Sequence, residues 1–168
     1  MEGRYCVMKI IFLDIDGVLN SDMYEANRTD KLDDNRIDHS RVKLLADLVK
    51  ATDAKIVLTS TWRMDWNRIS ALCGDYGKYL NECFATHGIS ILDKTPFISY
   101  FSERSKEILI WLAHHRESVE SFVILDDMNY GWDKLNSRVV ITNPQGYGLE
   151  EEHVQKALEL LNKRIVFK

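Results

Sequence analysis

The sequence predicts an α/β fold, a three-layer sandwich around a mostly parallel, Rossmann-like sheet. Three observations carry that expectation. Continuous apolar runs such as Ile10-Ile11-Phe12-Leu13 read as strands buried on both faces, as in parallel sheets. Segments with apolar residues at helical spacing separate these runs, so helices cover the sheet. Three of the runs also stop abruptly at small polar or acidic residues: Asp14/Asp16, Thr59/Ser60 and Asp126/Asp127.

The elements follow in order. Residues 1–7 read as a leader before an opening at Met8, and Lys9 to Asp14 as the first strand. Residues 20–38 are polar with few apolar anchors and read as a flap-like, mobile excursion. A helix is expected from Ser40 to Lys50, where Val42, Leu45, Ala46 and Val49 form an i, i+3, i+4, i+7 stripe. A second strand covers Lys55 to Leu58, and a helix is expected from Trp66 to Cys73. Gly74, Gly77 and Gly88 mark an irregular stretch, and residues 84–102 read as an irregular insert. Glu103 to His114 predicts a helix with Ile108, Trp111 and Leu112 on one face. Strands follow at Phe122 to Leu125 and Val139 to Ile141. The last helix, Glu150 to Lys163, starts with three glutamates and ends in Lys163-Arg164, which suits its dipole. No linker or repeat divides the chain, so residues 1–168 read as one domain.

Composition excludes some functions. With 22 Lys+Arg against 26 Asp+Glu the net charge is −4, which argues against holding nucleic acid by bulk charge. No apolar run approaches the ~20 residues that span a bilayer, and Val7 to Leu13 lacks the features of a signal peptide. Cys6, Cys73 and Cys83 form no CxxC pair and read as reduced, buried thiols, so a cytoplasmic protein is expected. The five histidines lack ligand spacing and read as structural or surface residues. Trp62, Trp66 and Trp132 read first as local packing, with stacking on a base or sugar as the alternative.

The chemistry is expected at the strand ends, because open α/β sheets bind ligands beyond the carboxyl ends of their strands. Asp14, Asp16, Asp126 and Asp127 would meet there, with the hydroxyls of Thr59 and Ser60. Carboxylates that close repel one another without a cation, and hard oxygen ligands suit Mg²⁺. Asp14, at the end of a rigid strand, can attack phosphorus and form an acyl phosphate. Asp16, two residues on, can protonate the leaving oxygen and later deprotonate water. Gly17 permits a sharp turn that brings N–H groups near phosphate oxygens. Arg63 reads equally as a phosphate grip or as a helix-start charge.

These residues carry a resemblance. Phe12-Leu-Asp-Ile-Asp-Gly-Val-Leu-Asn20 resembles the first motif of the haloacid dehalogenase (HAD) superfamily. Ile56-Val-Leu-Thr-Ser60 resembles the second, whose hydroxyl binds a phosphoryl oxygen, and Val123-Ile-Leu-Asp-Asp127 resembles the fourth, which holds the metal. The resemblance implies a motif-three cation, supplied by Arg104 or Lys106 with Arg104 favoured by its place at the helix start. A further motif-four acid is often present in the superfamily; here Asn129 or Asp133 stands in its place. The gaps after motifs one and two are too short for a cap domain, which resembles the capless type. The implied function is an Mg²⁺-dependent phosphatase acting through an aspartyl-phosphate on Asp14. Its substrate would be a phosphorylated small molecule or a nucleic-acid end, and assembly with a second copy is left open. Two other classes are weighed against it. A receiver-like phospho-acceptor domain is opposed by motif order, since DxD comes first and the acid pair last. A non-catalytic phosphate-binding module is opposed because every expected catalytic position holds a competent residue.

Overall fold

The computed structural model describes residues 7–29, 36–98 and 104–165. Five strands form one sheet: β1 (Met8–Leu13), β2 (Lys55–Leu58), β3 (Ile91–Lys94), β4 (Val119–Asp126) and β5 (Val139–Ile141). Their order is β3-β2-β1-β4-β5 and every pairing is parallel. The helices are α1 (Asp22–Asn27), α2 (His39–Thr52), α3 (Asp75–Ala85), α4 (Arg104–His114) and α5 (Glu151–Leu161).

β1 is central and has no side open to water: Ile10, Ile11, Phe12 and Leu13 are all fully buried. Its residues alternate between two cores. Ile11 and Leu13 join the core under α2, α3 and α5, which includes Leu45, Phe84 and Ala157. Ile10 and Phe12 join the core under α4, where Phe12 meets Trp111 and Phe122 edge-on. The expected sandwich is therefore the observed one, with no large cap among the described residues. No helix among them is long and apolar enough to cross a membrane.

Several expected elements differ. No α-helix occupies residues 66–73; the chain makes 3₁₀ turns at Thr61–Met64 and Ser70–Leu72 instead. The first is started by Ser60, whose Oγ accepts from the Trp62 N–H. The stretch read as irregular holds α3, which tolerates Gly77 because the helix presses against the backbone of Asp65 and Trp66. A Cβ there would lie 2.3 Å from the Asp65 carbonyl oxygen. The presumed insert contains the edge strand β3, and its residues 99–102 lie outside the described residues. Within 20–38 the described part forms the short helix α1, and Ile37 is buried in the core rather than part of a loose excursion; residues 30–35 lie outside the description. So do most of the expected leader, Cys6 and Glu103. Cys73 and Cys83 are buried free thiols, as expected.

Candidate active site

The sheet order changes direction beside β1: β2 and β3 lie on one flank, β4 and β5 on the other. Such a switch point opens a crevice at the strand ends. Register decides which residues meet there. Leu13 pairs with Leu58 and with Leu125, so Asp14, Thr59 and Asp126 are the next residues on three adjacent strands. The ladder runs one step further, with the Asp14 N–H donating to the Leu125 carbonyl at 2.9 Å and the Thr59 N–H to the Leu13 carbonyl at 2.8 Å. Backbone bonds thus fix these three side chains at their roots.

Asp14, Asp126 and Asp127 each offer a carboxylate oxygen, and these oxygens lie within 4.8 Å of one another. Arg104, the first residue of α4, enters between them. Its Nη1 is 2.8 Å from Asp14 Oδ2 and 2.5 Å from Asp126 Oδ2, and its guanidinium lies over the Tyr130 ring. Lys106, on the same helix, is exposed. Burial works against the Arg104 charge, but Asp14 and Asp126 outweigh it and hold its pKa above the ordinary value. Burial pushes Asp14 up, against the pull of Arg104. Burial and the Asp14 charge push Asp126 up to about 7, and burial and Asp14 also raise Asp127. One cation does not balance three carboxylates in so dry a place.

Asp16 is placed differently. It is exposed and outside the group of three, with each carboxylate oxygen taken by a donor. Asn20 Nδ2 donates to Oδ1 at 2.8 Å and Trp62 Nε1 to Oδ2 at 3.1 Å. Gly17 makes the turn at φ +75°, but its N–H donates to Asn20 Oδ1. Its missing side chain matters more: a Cβ there would fall 2.3 Å from Asp127 Oδ2. The Thr142 hydroxyl donates to the Gly17 carbonyl and the Leu149 N–H to that of Val18, both at 2.8 Å.

The two hydroxyls differ too. Ser60 Oγ caps the following turn, whereas Thr59 Oγ1 is buried without a hydrogen-bond partner. Buried polar atoms in native proteins are nearly always paired, so this orphan stands out beside Asp14 and Asp126. Arg63 is buried and committed elsewhere. Its Nη2 is 2.7 Å from Glu107 Oε2, and its Nη1 donates to the Thr59 and Ser60 carbonyls. Glu107 Oε1 accepts from the Ile98 N–H at 2.8 Å. Sequence reasoning missed Glu107, because its partner Arg63 is 44 residues away and nothing near it in sequence marks the pair. Asn129 Oδ1 accepts from the Gly131 N–H in a local turn, and Asp133 is outside the carboxylate group.

The family comparison agrees with this geometry. Residues 10–154 match the family model described as the HAD domain in Swiss Army Knife RNA repair proteins. The chain belongs to this family. Comparison with curated proteins and with solved structures finds no match. The HAD domain makes the chain a hydrolase of that superfamily, and the Asp14/Asp126/Asp127 cluster is compatible with phosphoryl transfer on an aspartate.

Proposed function

We propose that this HAD domain is an Mg²⁺-dependent phosphohydrolase with Asp14 as nucleophile and Asp16 as general acid and base. The observation that carries the reading is the convergence of Asp14, Asp126 and Asp127 around Arg104 at the switch point of the sheet. The donor set fits Mg²⁺: three hard carboxylate oxygens, mutually repelling and under-neutralised. Asp14, Asp126 and Asp127 would hold the ion, and Asp16 stands beside them without joining the cluster. Bound Mg²⁺ would offset the repulsion between the anionic phosphate and the anionic nucleophile.

In the first half-reaction an Asp14 oxygen attacks phosphorus and the bond from phosphorus to the leaving oxygen breaks. Asp16 gives its proton to that oxygen, which departs as an alcohol. In the second half-reaction water attacks the phosphorus of the acyl phosphate and Asp16 takes the proton. The Asp14–phosphorus bond then breaks, releasing phosphate and restoring the carboxylate. Thr59 Oγ1 supplies the hydroxyl for a phosphoryl oxygen, since Ser60 Oγ is occupied. Arg104 is the motif-three cation. The geometry favours it over Lys106 because it reaches Asp14 and Asp126 directly. Arg63 supports the loop carrying these hydroxyls rather than gripping substrate.

A second reading concerns the substrate. The matched family is described by RNA repair, which favours a phosphorylated RNA end over a free metabolite. Purified protein should release phosphate from an aryl phosphate with Mg²⁺ and stop with chelator. Asp14→Asn should abolish turnover without unfolding the chain, and normal turnover by that variant would refute the nucleophile. Comparing a nucleoside monophosphate with a 3′-phosphorylated oligonucleotide decides between the two substrates.

A further inference from the structure

Asp16 lines two clefts of different character. The one on the Asn20 side, about 530 Å³, is polar and includes Asp22, Glu25 and Asp127 together with Arg28 and Arg36. The one on the other side, about 420 Å³, has Arg36 and Asp65 at its polar edge and is walled by Trp62, Met64 and Tyr76. Those three side chains form an aromatic and apolar corner open to solvent. Trp62 and Tyr76 meet edge to face with ring centroids 5.3 Å apart, Tyr76 is 47 % exposed and Met64 54 % exposed.

The corner is built rather than loose. The Tyr76 N–H donates to Asp65 Oδ2 at 2.7 Å, and the Gly74 N–H donates to the Asp65 carbonyl at 2.8 Å. These bonds and the close approach of Gly77 lock the start of α3 onto the turn that carries Trp62. Behind it, Trp62 also packs on Tyr79. Its indole N–H donates to Asp16 Oδ2 from the cleft side, while Asn20 holds Oδ1. One side chain therefore both shapes the corner and orients the acid.

We propose that this corner is the leaving-group subsite, that it takes a nucleobase carried on the phosphorylated alcohol, and that Trp62 is a positioning residue for Asp16. The proposal rests on the reading of Asp16 as the proton donor. A leaving oxygen protonated by Asp16 must have its remaining atoms in one of the two adjoining clefts. The polar cleft is lined by charged residues of both signs, Arg28 and Arg36 beside its carboxylates, and offers a base no aromatic face. The aromatic corner does, and base–aromatic stacking is tolerant of base identity. A half-exposed aromatic corner thus supplies stacking affinity for a nucleotide end, with Arg36 on the wall of the same cleft.

The test is steady-state kinetics with Mg²⁺ on three probes. They are adenosine monophosphate, β-glycerophosphate (which has no ring) and p-nitrophenyl phosphate (whose phenolate leaves with little need of a proton). Tyr76→Ala should lower the ratio of kcat/KM for adenosine monophosphate over β-glycerophosphate roughly 5- to 20-fold, mainly through KM. Tyr76→Phe, which keeps the ring, should keep the ratio. Trp62→Phe keeps a ring but removes the indole N–H. It should lower kcat on β-glycerophosphate about tenfold more than on p-nitrophenyl phosphate, since only the alkoxide needs its proton. An unchanged ratio in Tyr76→Ala would overturn the subsite, and equal losses on all probes in Trp62→Phe would overturn the positioning role of Trp62, while an active wild type leaves the phosphohydrolase standing. A wild type inactive on all three probes would overturn both.

Discussion

Glu107→Ala tests how the active-site loop is held. Arg63 and Glu107 are 3 % and 2 % exposed, so water does not screen their 2.7 Å contact. Burial pulls the Arg63 pKa down and the Glu107 charge pushes it back, so the guanidinium depends on this partner. Removing one member of a buried pair strands the other and costs about 3–5 kcal/mol. The Ile98 N–H also loses its acceptor. For a domain of this size each kcal/mol lowers Tm by about 2–4 °C, so a drop of about 6–20 °C is expected. Activity should fall as well, because Arg63 also binds the Thr59 and Ser60 carbonyls and Glu107 lies one helical turn from Arg104. Thermal and urea unfolding measure the first effect. The double variant Arg63→Met/Glu107→Leu, with no stranded charge, should regain at least half of the lost stability. A single variant that loses less than about 1 kcal/mol, or a double variant no better than the single, would refute the view that this pair fastens the loop to α4.

Further outcomes are expected elsewhere. Gly17→Ala places a side chain at φ +75° and a Cβ against Asp127. Backbone strain of about 1–2 kcal/mol and a displaced carboxylate should lower both Tm and the Mg²⁺-dependent thermal shift, read by titrating Mg²⁺ in a melting assay. Thr59→Val should reduce turnover on an aryl phosphate at least tenfold, whereas Ser60→Ala should act mainly on stability by about 1 kcal/mol through the lost cap; the reverse pattern would exchange their roles. Beryllofluoride with Mg²⁺ should raise the wild-type Tm and leave that of Asp14→Asn unmoved. His153 is buried with Nδ1 accepting from the Glu150 N–H, and burial holds its pKa below the ordinary value. The unfolded chain binds that proton first, so stability is full above about pH 6.5 and falls as the pH drops through the folded pKa. Urea unfolding between pH 7.5 and 5 should show a shallower loss in His153→Gln.

What the sequence discloses divides along physical lines. β1, β2 and β4 are interior strands, and two-sided burial leaves an unbroken apolar run that is legible without a structure. The carboxylates that meet do so because register follows from those runs. β3 was illegible because an edge strand needs only one good face. Its Asp93 accepts from the Trp111 indole, and its Lys94 donates to the Arg63 and Trp66 carbonyls, so half its residues are polar for structural reasons. α3 was hidden by Gly77, a residue that reads as a breaker but serves close approach to Asp65. Arg63 illustrates a different limit. Its partner Glu107 is distant in sequence, and nothing local distinguishes an arginine facing phosphate from one facing a buried glutamate. The separation of Asp16 from the other three carboxylates was hidden for the same reason, since Asn20 is near in sequence but Trp62 is not.

The bonds from Thr142 and Leu149 to the carbonyls of Gly17 and Val18 carry a consequence for folding order. Every side chain assigned a chemical part lies at or before Asp127, so a nascent chain would possess the full set while still lacking the segment that grips the turn behind the nucleophile. Competence should therefore arrive late, when β5 docks and brings residues 142–149 over the first motif. A fragment ending before Thr142 would carry the whole catalytic vocabulary without the two bonds that hold the loop at Gly17 and Val18.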